Sequence, residues 1–325
     1  MATALLEVRG LSVDYVTETV DVRAVDKVDL TLDNGEFLAI VGESGCGKST
    51  LLFAIAQLLS FPAEISEGSV VFKGRNMVQL REQELRHLRW RDCSVVMQSA
   101  MNALNPTMSI GAQFRDAIQA HAGMSDAEIR DRSVEVLRLV GIDEVHVDSY
   151  PHQLSGGMRQ RAMIAMALLF TPDLVIMDEP TSALDVVAQR SLMTQIKELQ
   201  ERLGFAVIFV THDMSLVSHY SDRLAVMYAG QLVEVSSTES LFASPLHPYS
   251  RGLLDAFPSI RGPRRALTGI PGSPPDLGHP PAGCRFQPRC PVAMQRCATE
   301  RPDLYQEGQS QARCFLYSDM RAEAV

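Results

Sequence analysis

The chain has 325 residues, with 30 Lys+Arg against 39 Asp+Glu, a formal net charge of −9 and 46% hydrophobic residues. That balance excludes a disordered or low-complexity chain and argues against a nucleic-acid partner, which Lys and Arg would have to hold by its phosphates. The longest apolar run, Ala162–Phe170, has nine residues, against the roughly 20 of a membrane-spanning helix, and no basic-then-apolar leader opens the chain.

Taken in order, Leu6–Tyr15 mixes polar and apolar positions and is expected to be a strand of an antiparallel edge layer, as is Ser69–Phe72. Phe37–Val41, Leu174–Met177 and Ala206–Val210 are continuous apolar runs. Such runs suit strands buried on both faces of a parallel sheet. An apolar helix, Thr50–Leu59, follows the first of them. Between Gln98 and Thr171 the period turns helical. Ser125 and Glu128 form a capping-box pair, Ile129, Val136, Leu137 and Val140 share one face, and Gly141 supplies the stop. This reads as a helical subdomain, about 99–171, inserted into the sheet domain. Twelve of the 17 prolines lie between Pro245 and Pro302, which denies that stretch long helices and central strands. The expected fold class is therefore α/β: a sheet domain over 1–240 with an antiparallel β-subdomain, then a small loop-rich, Cys-containing extension over 241–325.

Gly42-Glu43-Ser44-Gly45-Cys46-Gly47-Lys48-Ser49 matches the phosphate-loop pattern, with a strand before it and a helix from Thr50 after it. Its glycines let backbone N–H groups wrap a phosphate at a helix N-terminus. Lys48 is expected on the β- and γ-phosphates, and Ser49 on Mg²⁺. Cys46 reads as a small filler. The run Leu174–Met177 ends in Asp178 and Glu179. Asp178 would hold Mg²⁺ and Glu179 would orient or deprotonate the attacking water. After Ala206–Val210 comes His212, placed to contact the γ-phosphate. Ser155-Gly156-Gly157 opens another helix and is a second anion-receptive terminus. Two such sites serve one γ-phosphate most economically in a head-to-tail pair of chains.

Together these motifs make the sequence resemble the ATP-binding subunits of ABC transporters over most of residues 5–240. Gly42–Thr50 is similar to Walker A, Gln98 to the Q-loop, Leu154–Met158 to the signature and Leu174–Glu179 to Walker B. Ser182-Ala183-Leu184-Asp185 is similar to the D-loop and His212 to the switch histidine. Met158 stands where the broader family most often has Gln, a variant familiar among peptide importers. The resemblance implies a P-loop NTPase core that hydrolyses ATP with Mg²⁺. It implies Tyr15 stacked on adenine, Gln98 linking the metal to the helical subdomain, and Lys48, Glu179 and His212 as the catalytic set. It also implies a second ATPase subunit, identical or paralogous, two transmembrane permease subunits with coupling helices beside Gln98–Pro106, and an extracytoplasmic binding protein. Such a subunit sits peripherally on the cytoplasmic face of the inner membrane. A soluble ABC ATPase of translation or DNA repair is the rival reading; the second nucleotide domain or long coiled-coil insert usual there is absent.

Four of the six cysteines, Cys284, Cys290, Cys297 and Cys314, fall in the last 42 residues. In a cytosolic chain they point to metal rather than disulfides. Their spacing lacks the paired C-x₂₋₄-C of zinc sites, whereas a 4Fe–4S cluster also takes four thiolates; zinc and unligated thiols stay open. Arg285, Arg289 and Arg296 would offset thiolate charge. Ser244-Pro245-Leu246-His247-Pro248-Tyr249 and Gly283–Pro291 are similar to the extension of oligopeptide/dipeptide-importer ATPases, and that resemblance implies a 4Fe–4S cluster on the four cysteines. Ser99–Pro106 differs from the Asp-Pro-Met stretch of many peptide importers, so oligosaccharide or nickel cargo stays open beside peptides.

Overall fold

A computed structural model describes residues 4–18, 20–98, 103–182, 184–256 and 269–321. In chain order the elements are β1 (Leu6–Tyr15), β2 (Val22–Leu32), β3 (Phe37–Val41), α1 (Lys48–Ile55), β4 (Ala63–Phe72), β5 (Arg75–Asn76), α2 (Glu82–Leu88), β6 (Cys93–Val96), α3 (Ile110–His121), α4 (Asp126–Leu139) and α5 (Gly156–Ala167). There follow β7 (Leu174–Asp178), α6 (Val186–Leu203), β8 (Ala206–Val210), α7 (Met214–Tyr220), β9 (Arg223–Tyr228), β10 (Gln231–Ser237), α8 (Thr238–Ala243), α9 (Pro248–Asp255), β11 (Tyr305–Glu307) and β12 (Ser310–Ala312). They form two compact units. One comprises Met1–Leu5, Leu32–Phe37 and Gln79–Val210; the other comprises Leu6–Thr31, Leu38–Val78 and Thr211–Val325.

In the first unit β6, β7 and β8 run parallel, with Cys93 opposite Leu174 and Leu174 opposite Ala206. Every residue of β7 and β8 is buried, which is why these strands read as unbroken apolar runs. Phe37 and Phe209 meet edge to face at 5.3 Å. The helical stretch forms as the sequence suggests. Ser125 and Glu128 cap α4 reciprocally. Gly141, at φ 68°, ends α4: its N–H donates to Arg138 and that of Ile142 to Leu137, which satisfies the last carbonyls.

The second unit carries an antiparallel sheet in the order β2-β1-β4-β5, with Leu6 opposite Phe72 and Tyr15 opposite Ala63. It also carries β11-β12-β10-β9-β3, in which β3 runs parallel to β9. Ala229 and Gly230, at φ 46° and 84°, make the two-residue turn from β9 to β10. The C-terminal stretch contributes more than loops. Hairpin β11–β12 joins the edge of β10, Ala312 lying opposite Glu234. The strand expected over Ser69–Phe72 begins earlier, at Ala63, and the helix after the phosphate loop is Lys48–Ile55, not Thr50–Leu59. Gln57 takes the left-handed conformation, φ 55°. Its N–H donates to Ala54 and that of Leu58 to Phe53, so the helix stops without a glycine. Among the described residues no helix is long and apolar enough to cross a membrane.

Candidate active site

In the second unit β3 delivers the chain into Gly42–Thr50. Gly47 is the N-cap of α1 at φ 102°, with no side-chain cap. A Cβ there would lie 2.2 Å from the Ala24 carbonyl oxygen. Only glycine fits, and the start of α1 has no side-chain cap, which leaves its first N–H groups in the condition of an anion-receptive terminus. Lys48 is buried and folds back over the loop. Its Nζ donates to the carbonyls of Gly42 and Glu43, both at 2.9 Å, and lies 3.7 Å from Cys46 Sγ. Burial pushes the Cys46 thiol up, so at neutral pH it stays protonated, as a filler should. Ser44 and Gly45 are exposed, and Ser49 and Thr50 partly so. Tyr15 ends β1 with its hydroxyl 3.2 Å from Thr50 Oγ1, which brings the one aromatic singled out from sequence to the loop's helix. His212 is exposed between β8 and α7. Its neighbour Asp213 caps α7 through Ser215 N–H.

In the first unit β7 ends in Asp178, which is buried, and Glu179, which takes a left-handed backbone conformation at φ 45°. That conformation costs a non-glycine residue about 1 kcal/mol. The Glu179 N–H donates to Val210 O at 3.0 Å. Gln98 Nε2 donates to Glu179 Oε2 at 3.0 Å, so two residues 81 positions apart are brought together. Ser155 caps α5 and accepts from Met158 N–H at 3.3 Å; Gly156 and Gly157 form that helix's first turn. Asp185 caps α6, accepting from Ala188 N–H at 2.9 Å. One residue the sequence reading missed is Gln160. It is buried on α5, and its amide donates to the carbonyl of Pro180, the residue after Glu179. A buried Gln in an apolar helix carries that signal, since burial demands a partner. Ser99–Asn102 and Ala183, from the two loop motifs, lie outside the described residues.

In the extension all four cysteines line one small cavity with His247, Phe286 and Phe315. Burial pushes the thiols of Cys284 and Cys290 up and that of Cys314 to about 11. Among the described residues no group of three or more His, Cys, Asp or Glu side chains stands at metal-holding spacing. The flanking arginines engage other groups. Arg285 Nη2 pairs with buried Asp26 at 2.6 Å, Arg289 with Glu43, and the Arg296 guanidinium lies 3.9 Å over the Phe315 ring. A charge beside a cysteine in sequence thus does not forecast its partner in space.

The Ser-Pro-Leu-His-Pro-Tyr stretch has its own logic. Glu234 of β10 is fully buried and accepts the N–H groups of Leu246 and His247 at 2.9 and 2.8 Å. His247 then caps α9, Nδ1 accepting from Tyr249 N–H at 3.0 Å, with Pro248 in the first turn.

Residues 25–182 match the family model for ABC transporters, and residues 233–297 match that for the oligopeptide/dipeptide transporter C-terminal region. A dipeptide transport ATP-binding protein of Caldanaerobacter subterraneus is 41% identical over 320 residues, covering 98% of both chains. The chain belongs to the ABC transporter ATP-binding subunits of the oligopeptide/dipeptide type. An oligopeptide transport ATP-binding protein of Salmonella typhimurium is 45% identical over 317 residues, 97% of this chain and 94% of that one. Among solved structures, the dimeric ATP-binding cassette MJ0796 in a post-hydrolysis state bound to ADP and Pi aligns with a TM-score of 0.64 at 30% identity. That alignment covers 72% of this chain and 98% of the cassette. The ATP-binding subunit thus has the ABC ATPase P-loop fold with mixed α/β sheets, and its activity is ATP hydrolysis coupled to transport.

Proposed function

We propose that this subunit drives the uptake of di- or oligopeptides, and that its site residues divide the work as follows. The loop N–H groups and Lys48 hold the β- and γ-phosphates, with Gly42, Ser44, Gly45, Cys46, Gly47 and Thr50 shaping the loop. Tyr15 supports adenine. Ser49, Asp178 and Gln98 each carry an oxygen donor of the kind that Mg²⁺ prefers; the ion would neutralise developing phosphate charge. Glu179 takes a proton from the attacking water, and His212 contacts the γ-phosphate. Ser155, Gly156, Gly157 and Asp185 act on the nucleotide of a partner ATPase subunit, identical or paralogous. Two permease subunits and an extracytoplasmic binding protein complete the assembly, and the subunit works at the cytoplasmic face of the membrane. Residues 1–240 serve as the nucleotide domain and 241–325 as the extension.

The observation that carries the reading is the phosphate loop itself: Gly47 opens an uncapped helix start, and buried Lys48 lies across the loop carbonyls that frame it. Peptide cargo rests on the relatives, which are dipeptide and oligopeptide transport ATP-binding proteins. The test is peptide uptake by the assembled transporter in sealed vesicles. Uptake that needs ATP, and that oligosaccharide or nickel does not replace, supports it; ATP-driven uptake of either of those alone sinks the peptide assignment.

The finer reading of the extension is a 4Fe–4S cluster on Cys284, Cys290, Cys297 and Cys314. Four thiols around one cavity supply the right donors. Their spacing as folded does not reach that of a metal site, so no step is assigned to the cluster.

A further inference from the structure

The second residue of the phosphate loop is gripped from outside the nucleotide motifs. Glu43 Oε2 accepts from Arg289 Nη1 at 2.8 Å, and Oε1 from Arg289 Nη2 at 3.0 Å, a two-pronged pair. The Glu43 N–H donates to the Tyr249 hydroxyl at 3.0 Å. The Glu43 carbonyl accepts from Lys48 Nζ. It also accepts from the Cys46 N–H at 3.3 Å. Every polar group of this residue is therefore engaged, and two of its four partners, Arg289 and Tyr249, lie in the C-terminal extension.

Those two partners are themselves fixed. The Arg289 side chain is only 6% exposed. Its Nε donates to Pro271 O at 2.8 Å, its Nη2 also reaches Ile270 O, and its guanidinium lies 5.7 Å from the Tyr228 ring centroid. Tyr249 is fully buried, packed on Tyr228 at 4.6 Å and on Phe286 at 5.5 Å. Arg289 directly precedes Cys290 in the chain. A bidentate, buried guanidinium orients a carboxylate in a way that a lysine cannot.

We propose that Arg289 and Tyr249 are positioning residues for ATP: the C-terminal extension braces Glu43 and so holds the phosphate loop in its nucleotide-ready form. The physical consequence follows from populations. With the brace cut, the loop spends less time in the form that accepts phosphates, and apparent affinity falls by that fraction. Saturating ATP restores the form, so most of the loss falls in KM rather than kcat. The inference rests on the ATPase reading but is read separately from it.

The test uses the full chain in its assembled transporter. Binding of a slowly cleaved ATP mimic is measured for Arg289→Ala, Tyr249→Phe, Glu43→Ala and the double variant R289A/E43A, with KM and kcat alongside. Kd and KM are expected to rise about tenfold in R289A and a few-fold in Y249F, with the double variant no worse than the poorer single one. Tyr249→Phe keeps the ring packing, so it carries the test if R289A folds poorly. A lowered melting temperature with Kd and KM unmoved would overturn the proposal, as would losses that simply add. Hydrolysis is a different readout: wild type that binds the mimic normally without turning ATP over would defeat the ATPase reading and leave the brace measurable.

Discussion

Gln98 donates its amide N–H to the Glu179 carboxylate across 3.0 Å, and Glu179 itself sits in a left-handed conformation at the end of β7. A carboxylate held this way is aimed rather than loose at a strand end. It can accept a proton only while ionised. Glu179→Gln keeps size and hydrogen bonding and removes the proposed base. In the assembled transporter ATP turnover is expected to fall by about 10²–10⁴, while ATP still binds and accumulates a closed pair of subunits. Single-turnover hydrolysis and nucleotide retention measure this. Turnover within a few-fold of wild type would remove Glu179 from the base role.

Gly47 and Gly45 separate two reasons for a glycine in the same loop. Both have positive φ, but a Cβ at Gly47 would meet the Ala24 carbonyl at 2.2 Å, whereas one at Gly45 would meet nothing within 4 Å. Gly45→Ala should therefore show only the conformational cost, about 1 kcal/mol. Gly47→Ala must also displace β2 backbone or tilt the start of α1, which spoils the anion site. Nucleotide affinity is expected to drop at least tenfold more in Gly47→Ala than in Gly45→Ala. Equal losses in titrations with an ATP mimic would show that the clash is relieved at no cost.

The nucleotide core was legible because its signals are local. A glycine pattern between a strand and a helix, and acids closing an apolar run, each declare their chemistry within ten residues. The residues that join distant stretches were not. Gln160 reaches Pro180, Arg289 reaches Glu43 across 246 positions, and Arg285 reaches Asp26 across 259. In sequence these arginines stand beside cysteines and invite a reading as thiolate counter-charges; in the fold they meet carboxylates. The end of α1 escaped for another reason. A Gln in the left-handed position gives no sequence cue, whereas Gly141 at the end of α4 does. The turn at Ala229-Gly230 is similar: its first residue is not one that positive φ favours.

The four extension thiols carry a third prediction. The cluster proposed for them is decided by iron content: with a cluster, protein purified without oxygen would be brown, with broad visible absorption and four irons per chain, and the folded spacing of the thiols argues against that outcome. Replacing all four cysteines by serine should bleach it. Colourless protein with one zinc per chain would put the same thiols to a different use.

His247 gives the extension a pH dependence whose sign can be worked out. Its ring is buried, and Nδ1 must stay unprotonated to accept Tyr249 N–H. Burial holds its folded pKa at about 3, against 6.5 for a free histidine. The unfolded chain thus binds a proton that the folded chain refuses. The stability contributed is complete above pH 6.5 and is lost as pH falls toward 3. Between pH 7.5 and 5 the loss is about 2 kcal/mol. Glu234, whose carboxyl burial raises above the usual range, acts in the opposite sense: its folded form holds the proton more tightly, so acid favours it. His247→Asn keeps a capping acceptor that does not titrate. Its melting temperature should fall less than that of wild type when pH drops from 7.5 to 5. If the two proteins lose stability in parallel over that range, the histidine is not the titrating group.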